Sequence, residues 1–191
     1  MSYCRIHKIF IANRGEIAYR IIRTASRMGL STVVPVTRSE QETLPAKAAD
    51  EVHILDSSLL NETYLDAKHM LQLALQYDAD AIHPGYGFLS ESAPFAEMVE
   101  NSGLLWIGPS PTTISAMGNK LTARHIAAEA GLSMTKAISG NASEIMKAHG
   151  SLRFPLLIKA AAGGGGKGMK IAANPDELQQ MLNDASREAL S

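Results

Sequence analysis

Apolar positions along the first 110 residues follow two alternating periods. Residues 8–12 (Lys-Ile-Phe-Ile-Ala) form a short apolar run that predicts a buried strand, and Asn13-Arg14-Gly15 turns the chain. Residues 16–28 then carry Ile17, Ile21, Ile22 and Ala25 at helical spacing, with Gly29 as the stop. Residues 32–36 (Thr-Val-Val-Pro-Val) predict a second strand, and Pro35 argues for a strand end or an edge position. A short helical piece around 46–49 precedes a third strand at 52–55. Residues 62–77 predict one amphipathic helix through Tyr64, Leu65, Ala67, Met70, Leu71, Ala74 and Leu75. A strand at 81–83, a helix at 95–101 and a strand at 104–107 complete the series. Strands alternating with helices mean a parallel α/β sheet.

The pattern changes at Gly108-Pro109-Ser110-Pro111, where two prolines mark a linker. Short helices are expected at 112–117 and 121–130, a strand at 134–138 and a helix at 143–149. An apolar run at 154–160, a glycine turn and a second apolar run at 169–172 read as strand, turn and strand. Asn174 as N-cap, Pro175 at the first helical position and Glu177 closing a capping box start a last helix. The expected organisation is a Rossmann-like unit at 1–111, a helical linker at 112–133 and a smaller α+β unit at 134–191.

Composition narrows the function classes. Eighteen basic and 19 acidic residues give a net charge of −1, which supplies no field toward nucleic acid or a membrane surface. No apolar run reaches the length of a transmembrane helix, and the N-terminus lacks the apolar core of a secretory signal. One cysteine, Cys4, excludes an internal disulfide framework and suits a reducing cytosol, so a cytoplasmic location is expected. The histidines show no ligand spacing with Cys4 or with one another, so no structural zinc site is inferred.

Three stretches carry candidate chemistry. Lys159-Ala-Ala-Ala-Gly-Gly-Gly-Gly-Lys-Gly-Met-Lys170 places four glycines between lysines inside a strand–turn–strand. Such backbone leaves N–H groups free to curl around an anion. It is not a Walker A loop, because Gly168 follows Lys167; the bland alternative is a linker. Asn13-Arg14-Gly15-Glu16 follows the first strand, where doubly wound sheets bind ligands. With only one glycine it lacks the dinucleotide fingerprint, which argues against an NAD oxidoreductase. The alternative there is a turn that only packs. His83-Pro-Gly-Tyr-Gly-Phe-Leu-Ser-Glu91 gathers polar side chains and glycines at another strand's carboxyl end, against the alternative of a structural turn. Lys120, taken alone, is a solvated charge. Arg20, Arg23 and Arg27 make a basic stripe on the first helix, either a solvated face or a partner surface.

Taken together, Ile11-Ala-Asn-Arg-Gly-Glu-Ile-Ala18, His83–Glu91, Ile107-Gly-Pro109, Met117-Gly-Asn-Lys120 and Lys159–Met169 occur in an order that closely resembles the biotin carboxylase component of biotin-dependent acyl-CoA carboxylases. Residues 156–170 look most like the α subunits of the methylcrotonyl-CoA type. The resemblance covers essentially the whole chain. It implies an ATP-grasp fold, with a Rossmann-like N-terminal domain and a small lid that precede a larger catalytic portion. It also implies ATP-dependent activation of bicarbonate and carboxylation of biotin on a carrier domain.

By resemblance, Lys120 and Lys159 contact ATP, and Gly165, Gly166 and Met169 belong to the lid over it. Tyr86 lies toward biotin and bicarbonate, and Arg20 and Arg23 match a homodimer interface. The implied cofactors are ATP and Mg2+, with the metal ligands, bicarbonate-binding arginine and catalytic base expected downstream of Ser191. The implied partners are a biotin carboxyl carrier domain and a carboxyltransferase subunit. Asn119 stands where the family usually has aspartate. The expectation is a chain without catalytic or metal-binding residues of its own, inactive alone. The competing reading is a non-catalytic nucleotide-binding or interaction module that pairs with a full-length carboxylase.

Overall fold

The structure, a computed structural model, describes residues 6–159 and 169–189 of the 191. The chain divides into two compact units, Met1–Ser115 and Ala116–Ser191.

The N-terminal unit is a five-stranded parallel sheet with helices on both faces. Its strands are β1 (Lys8–Ile11), β2 (Ser31–Thr37), β3 (Glu51–Leu55), β4 (Ala81–His83) and β5 (Leu105–Trp106), in the order β3-β2-β1-β4-β5. Alternation along β1 sends Phe10 to one face and Ile9 and Ile11 to the other. On the first face Phe10, Val33, Leu55 and Ile82 pack with Met70, Leu73 and Ala74 of α3 (Ala67–Gln76) and with Phe95 and Val99 of α4 (Ala93–Asn101). On the second face Ile9, Ile11, Val34 and Val36 pack with Ala18, Ile21, Ile22 and Ala25 of α1 (Gly15–Arg27), and with Ala46 of α2 (Leu44–Ala48). Of the stripe predicted for α1, Ile21, Ile22 and Ala25 are buried and Ile17 is half-buried against the same cluster, while Ala18 joins the buried set.

Two expectations for this unit fail for identifiable reasons. β2 is internal, lying between β1 and β3. Its pairing with β1 covers only Ser31–Val33, however, whereas β3 pairs with it from Val33 to Thr37. Pro35 therefore sits past the last β1 partner, where its missing N–H removes no bond to that strand. The helix expected at 62–77 starts only at Ala67. Asp66 caps it by accepting from the His69 amide at 2.9 Å, and Thr63 and Tyr64 ahead of the cap are fully buried.

The second unit is built around a hairpin of β6 (Leu156–Lys159) and β7 (Met169–Ala172), with Leu157 opposite Ile171 and Lys159 opposite Met169. One face packs on α7 (Ala142–Ala148) and α8 (Pro175–Ala189) through Leu156, Ile158, Ala172, Ile145, Leu178 and Leu182. Ahead of it, α6 (Lys120–Glu129) is capped by Asn119, whose Oδ1 accepts from the Leu121 and Thr122 amides at 3.0 and 3.1 Å. The short helix α5 (Pro111–Gly118) spans the boundary between the units. Residues 134–138 are not a strand: Met134 through Ala137 are exposed, leaving a strand there no face to bury.

Candidate functional site

In the parallel sheet every crossover loop leaves from the same edge. β1 is flanked by β2 on one side and β4 on the other, so the connections diverge between the carboxyl ends of β1 and β4. The turn Asn13–Glu16 and the loop His83–Glu91 stand on the two sides of that switch point.

These two segments are locked together. Asn13, 2% exposed, donates through Nδ2 to the carbonyls of Pro84 (2.7 Å) and Tyr86 (2.8 Å). Gly85 between them has φ +69°, and a Cβ there would lie 2.7 Å from Asn13 Nδ2, so both the backbone sign and the space require glycine. The Tyr86 hydroxyl donates to Glu16, which raises its pKa, while 59% of Tyr86 stays exposed. His83 Nδ1 accepts from the Gly85 amide at 3.0 Å, and burial holds its ring below the usual histidine range. An unprotonated Nδ1 acceptor places the proton of the neutral ring on Nε2.

A second network extends along the same edge. Arg14 Nη1 meets Glu40 Oε1 at 3.0 Å, and its guanidinium lies 5.5 and 5.6 Å from the ring centroids of Tyr64 and Phe88. Those rings stack on each other at 5.5 Å. Glu40 Oε2 accepts from the Thr37 amide (3.0 Å), the Thr37 hydroxyl (2.7 Å) and the Tyr64 hydroxyl (2.7 Å). Burial pulls the Glu40 carboxyl up, but these bonds and Arg14 outweigh it and leave it below the usual carboxylate range. Burial first, and then Glu40, push the Tyr64 phenol well above its usual range. One guanidinium thus joins the loops that follow β1, β2, β3 and β4.

Among the residues singled out from the sequence, Tyr86 lies in the N-terminal unit. Lys120, Lys159 and Met169 lie in the second, all three exposed. The hairpin register sets Lys159 directly opposite Met169, on a face that also carries the exposed Leu157 and Ile171. Gly165 and Gly166, like Lys167 and Cys4, lie outside the described residues. Arg20 and Arg23 are exposed on α1, opposite its buried stripe; Arg20 bonds Thr24, and Arg23 lies 5.9 Å from the Tyr19 ring centroid. Among the described residues no group of three His, Cys, Asp or Glu side chains is placed to hold a metal ion. Sequence reasoning missed Glu40 and Tyr64 as members of the edge network. The Asn-Arg-Gly-Glu and His83–Glu91 stretches mark both sides of the Asn13 and Glu16 contacts, but only one side of the Arg14 contacts with Glu40 and Tyr64.

Residues 5–114 match the family model for the biotin carboxylase N-terminal domain, and residues 119–191 match that for the ATP-binding domain of the carbamoyl-phosphate synthase L chain. The chain is 45% identical over 191 residues to a biotin-dependent acyl-coenzyme A carboxylase alpha3 subunit of Mycobacterium leprae, covering 97% of this chain and 31% of that protein. It is 42% identical to the mitochondrial methylcrotonoyl-CoA carboxylase subunit alpha of Rattus norvegicus, covering 96% and 26%. The chain therefore spans about a third or less of these curated relatives (31% and 26%).

Among solved structures, a Campylobacter jejuni biotin carboxylase in complex with β-γ-ATP superposes with a TM-score of 0.90 at 34% identity, covering 97% of this chain and 42% of that one. The biotin carboxylase domain dimer of Hydrogenobacter thermophilus 2-oxoglutarate carboxylase, with MgADP, ADP and bicarbonate, gives 0.87 at 37% identity, covering 97% and 41%. The strand order, the locked loops at the β1–β4 switch point and a match over 110 of 191 residues (5–114) agree: the chain belongs to the biotin carboxylase N-terminal domain family.

Proposed function

We propose that this chain is the N-terminal part of an ATP-dependent biotin carboxylase serving an acyl-CoA carboxylase. One observation carries it: residues 5–114 and 119–191 match, in order, the biotin carboxylase N-terminal domain and an ATP-binding domain, and relatives aligned along 96–97% of the chain are subunits of such carboxylases. ATP would supply the phosphoryl group that activates bicarbonate. Lys159 and Lys120 would set point charges against its phosphates, since phosphoryl transfer depends chiefly on positioning and charge neutralisation. The exposed face of Met169, Leu157 and Ile171 offers apolar surface to a base, and by resemblance Gly165 and Gly166 would be lid residues. Tyr86 would stand on the biotin and bicarbonate side.

The Mg2+ that accompanies ATP would find no group of three His, Cys, Asp or Glu side chains among the described residues. The partners that follow are a biotin carboxyl carrier domain and a carboxyltransferase subunit. A homodimer would form through Arg20 and Arg23, and the location would be the cytoplasm. The 191-residue chain alone would bind nucleotide without turnover. The test is ATPase activity of the purified chain with bicarbonate and free biotin, run beside calorimetric titration with ATP. Binding without bicarbonate- and biotin-dependent hydrolysis is expected. Dependent hydrolysis would refute the claim of incompleteness, and absence of any binding would refute the lid assignment.

A further inference from the structure

The side chains of the turn after β1 are engaged by the loop after β4. Asn13 holds the carbonyls of Pro84 and Tyr86, Arg14 lies over the ring of Phe88, and Glu16 accepts from the Tyr86 hydroxyl. Both amide hydrogens of Asn13 are used on this loop, and its Oδ1 accepts from the Arg14 amide at 2.9 Å. The side chain is buried, and Gly85 passes so close that no Cβ fits between them. A ligand would find no free donor on Asn13.

We propose that Asn13 is a positioning residue: its amide fixes the path of the Pro84–Gly87 loop and so the point at which Tyr86 is presented. The functional weight of this assignment rests on the reading that Tyr86 stands on the biotin side. Two carbonyl oxygens from residues i and i+2 converge on one NH2 group, which needs both donors and tolerates no acceptor. Asn13→Asp is nearly isosteric and keeps the oxygen that accepts from Arg14. It replaces the donors with an acceptor facing two carbonyls at 2.7–2.8 Å. Both carbonyls then lose their partner and the loop must leave.

The experiment is amide hydrogen exchange and tyrosine-ring NMR titration on the 191-residue chain at pH 8 and above. In Asn13→Asp, exchange at Gly85 and Ser90 should rise at least about tenfold while β2 and α1 amides hold. The Tyr86 ring should then titrate nearer an unperturbed phenol, at about 10. A folded Asn13→Asp chain with both readouts unchanged overturns the proposal. If that variant does not fold, Asn13→Ser, too short to span both carbonyls, carries the same expectation; loss of protection throughout both chains would make Asn13 a folding residue and overturn it equally. In an assembled carboxylase containing this chain, Asn13→Asp should raise KM for biotin about tenfold, with KM for ATP within about twofold. A displaced loop with an unaltered biotin KM would sink the functional assignment of Tyr86 and leave the positioning role of Asn13 standing.

Discussion

Tyr64 and Glu40 meet across 24 positions of sequence, the tyrosine hydroxyl donating to Oε2 at 2.7 Å while the tyrosine ring is fully buried. The same hydroxyl lies 3.2 Å from the Pro35 carbonyl, past the point where β1 stops pairing with β2. The contact ties the loop after β3 to the loop after β2, and Arg14 ties both to the turn after β1. The carboxyl edge of the sheet is thus held by polar bonds as well as by its apolar core.

Removing that hydroxyl should be felt as a lost bond to a charged acceptor. Tyr64→Phe keeps the ring stacked on Phe88 and deletes one donor to Glu40. A bond to a charged group contributes about 1.5–3 kcal/mol, so a loss of about 2 kcal/mol is expected in urea unfolding, with an unchanged m-value. A loss below about 0.5 kcal/mol would mean that water replaces the hydroxyl.

Stability should fall on mild acidification. His83 is held below its usual range by burial. His53 is held there by burial and then by the neighbouring His69, with Asp56 opposing. A histidine whose folded pKa is depressed binds more protons unfolded than folded below about pH 6.5. Its contribution is therefore intact above that pH and is lost as pH drops through 6.5 toward the lower folded values. The urea midpoint should be flat from pH 8 to 7 and decline toward pH 5. His83→Asn, whose side-chain oxygen can take the place of Nδ1 as acceptor for the Gly85 amide, should flatten part of that decline.

Two glycines with the same backbone sign separate strain from crowding. Gly29 (φ +72°) has nothing within 4 Å of a built Cβ, whereas Gly85 (φ +69°) has Asn13 Nδ2 at 2.7 Å. Gly29→Ala should cost about 1 kcal/mol, the penalty of left-handed backbone alone. Gly85→Ala adds an overpacking term at a buried amide and should cost about 3 kcal/mol. Thermal unfolding of the two variants side by side checks the difference.

What the sequence made legible was local. The apolar run of β1 and the Ile21, Ile22 and Ala25 stripe of α1 needed only period and turn chemistry, and those elements stand where they were expected. Pro35 misled because its tolerance depends on register, which places β1 against Ser31–Val33 only. Tyr64 misleads because an apolar ring at helical spacing reads as helix, whereas its hydroxyl and ring are held by Glu40 and Phe88 from other loops. The Asn13 grip spans 71 and 73 residues; the sequence marks both segments it joins, and not the bonds between them.

The hairpin supplies the sharpest test of the nucleotide reading, because its two described lysines face opposite ways. Lys159 pairs in register with Met169 and is exposed, alongside Leu157 and Ile171. Lys170 is paired with Ile158, which points into the core beneath the hairpin, and its ammonium bonds Glu188 of α8. If the exposed face takes the nucleotide, Lys159→Ala should weaken ATP binding about tenfold, equivalent to about 1.4 kcal/mol. Lys170→Ala should leave affinity within about twofold and lower stability by no more than about 1 kcal/mol, as for a partly exposed ion pair. Calorimetric titration with ATP beside urea unfolding reads both. Equal losses of affinity in the two variants would mean that charge alone, and not the face of the hairpin, governs binding.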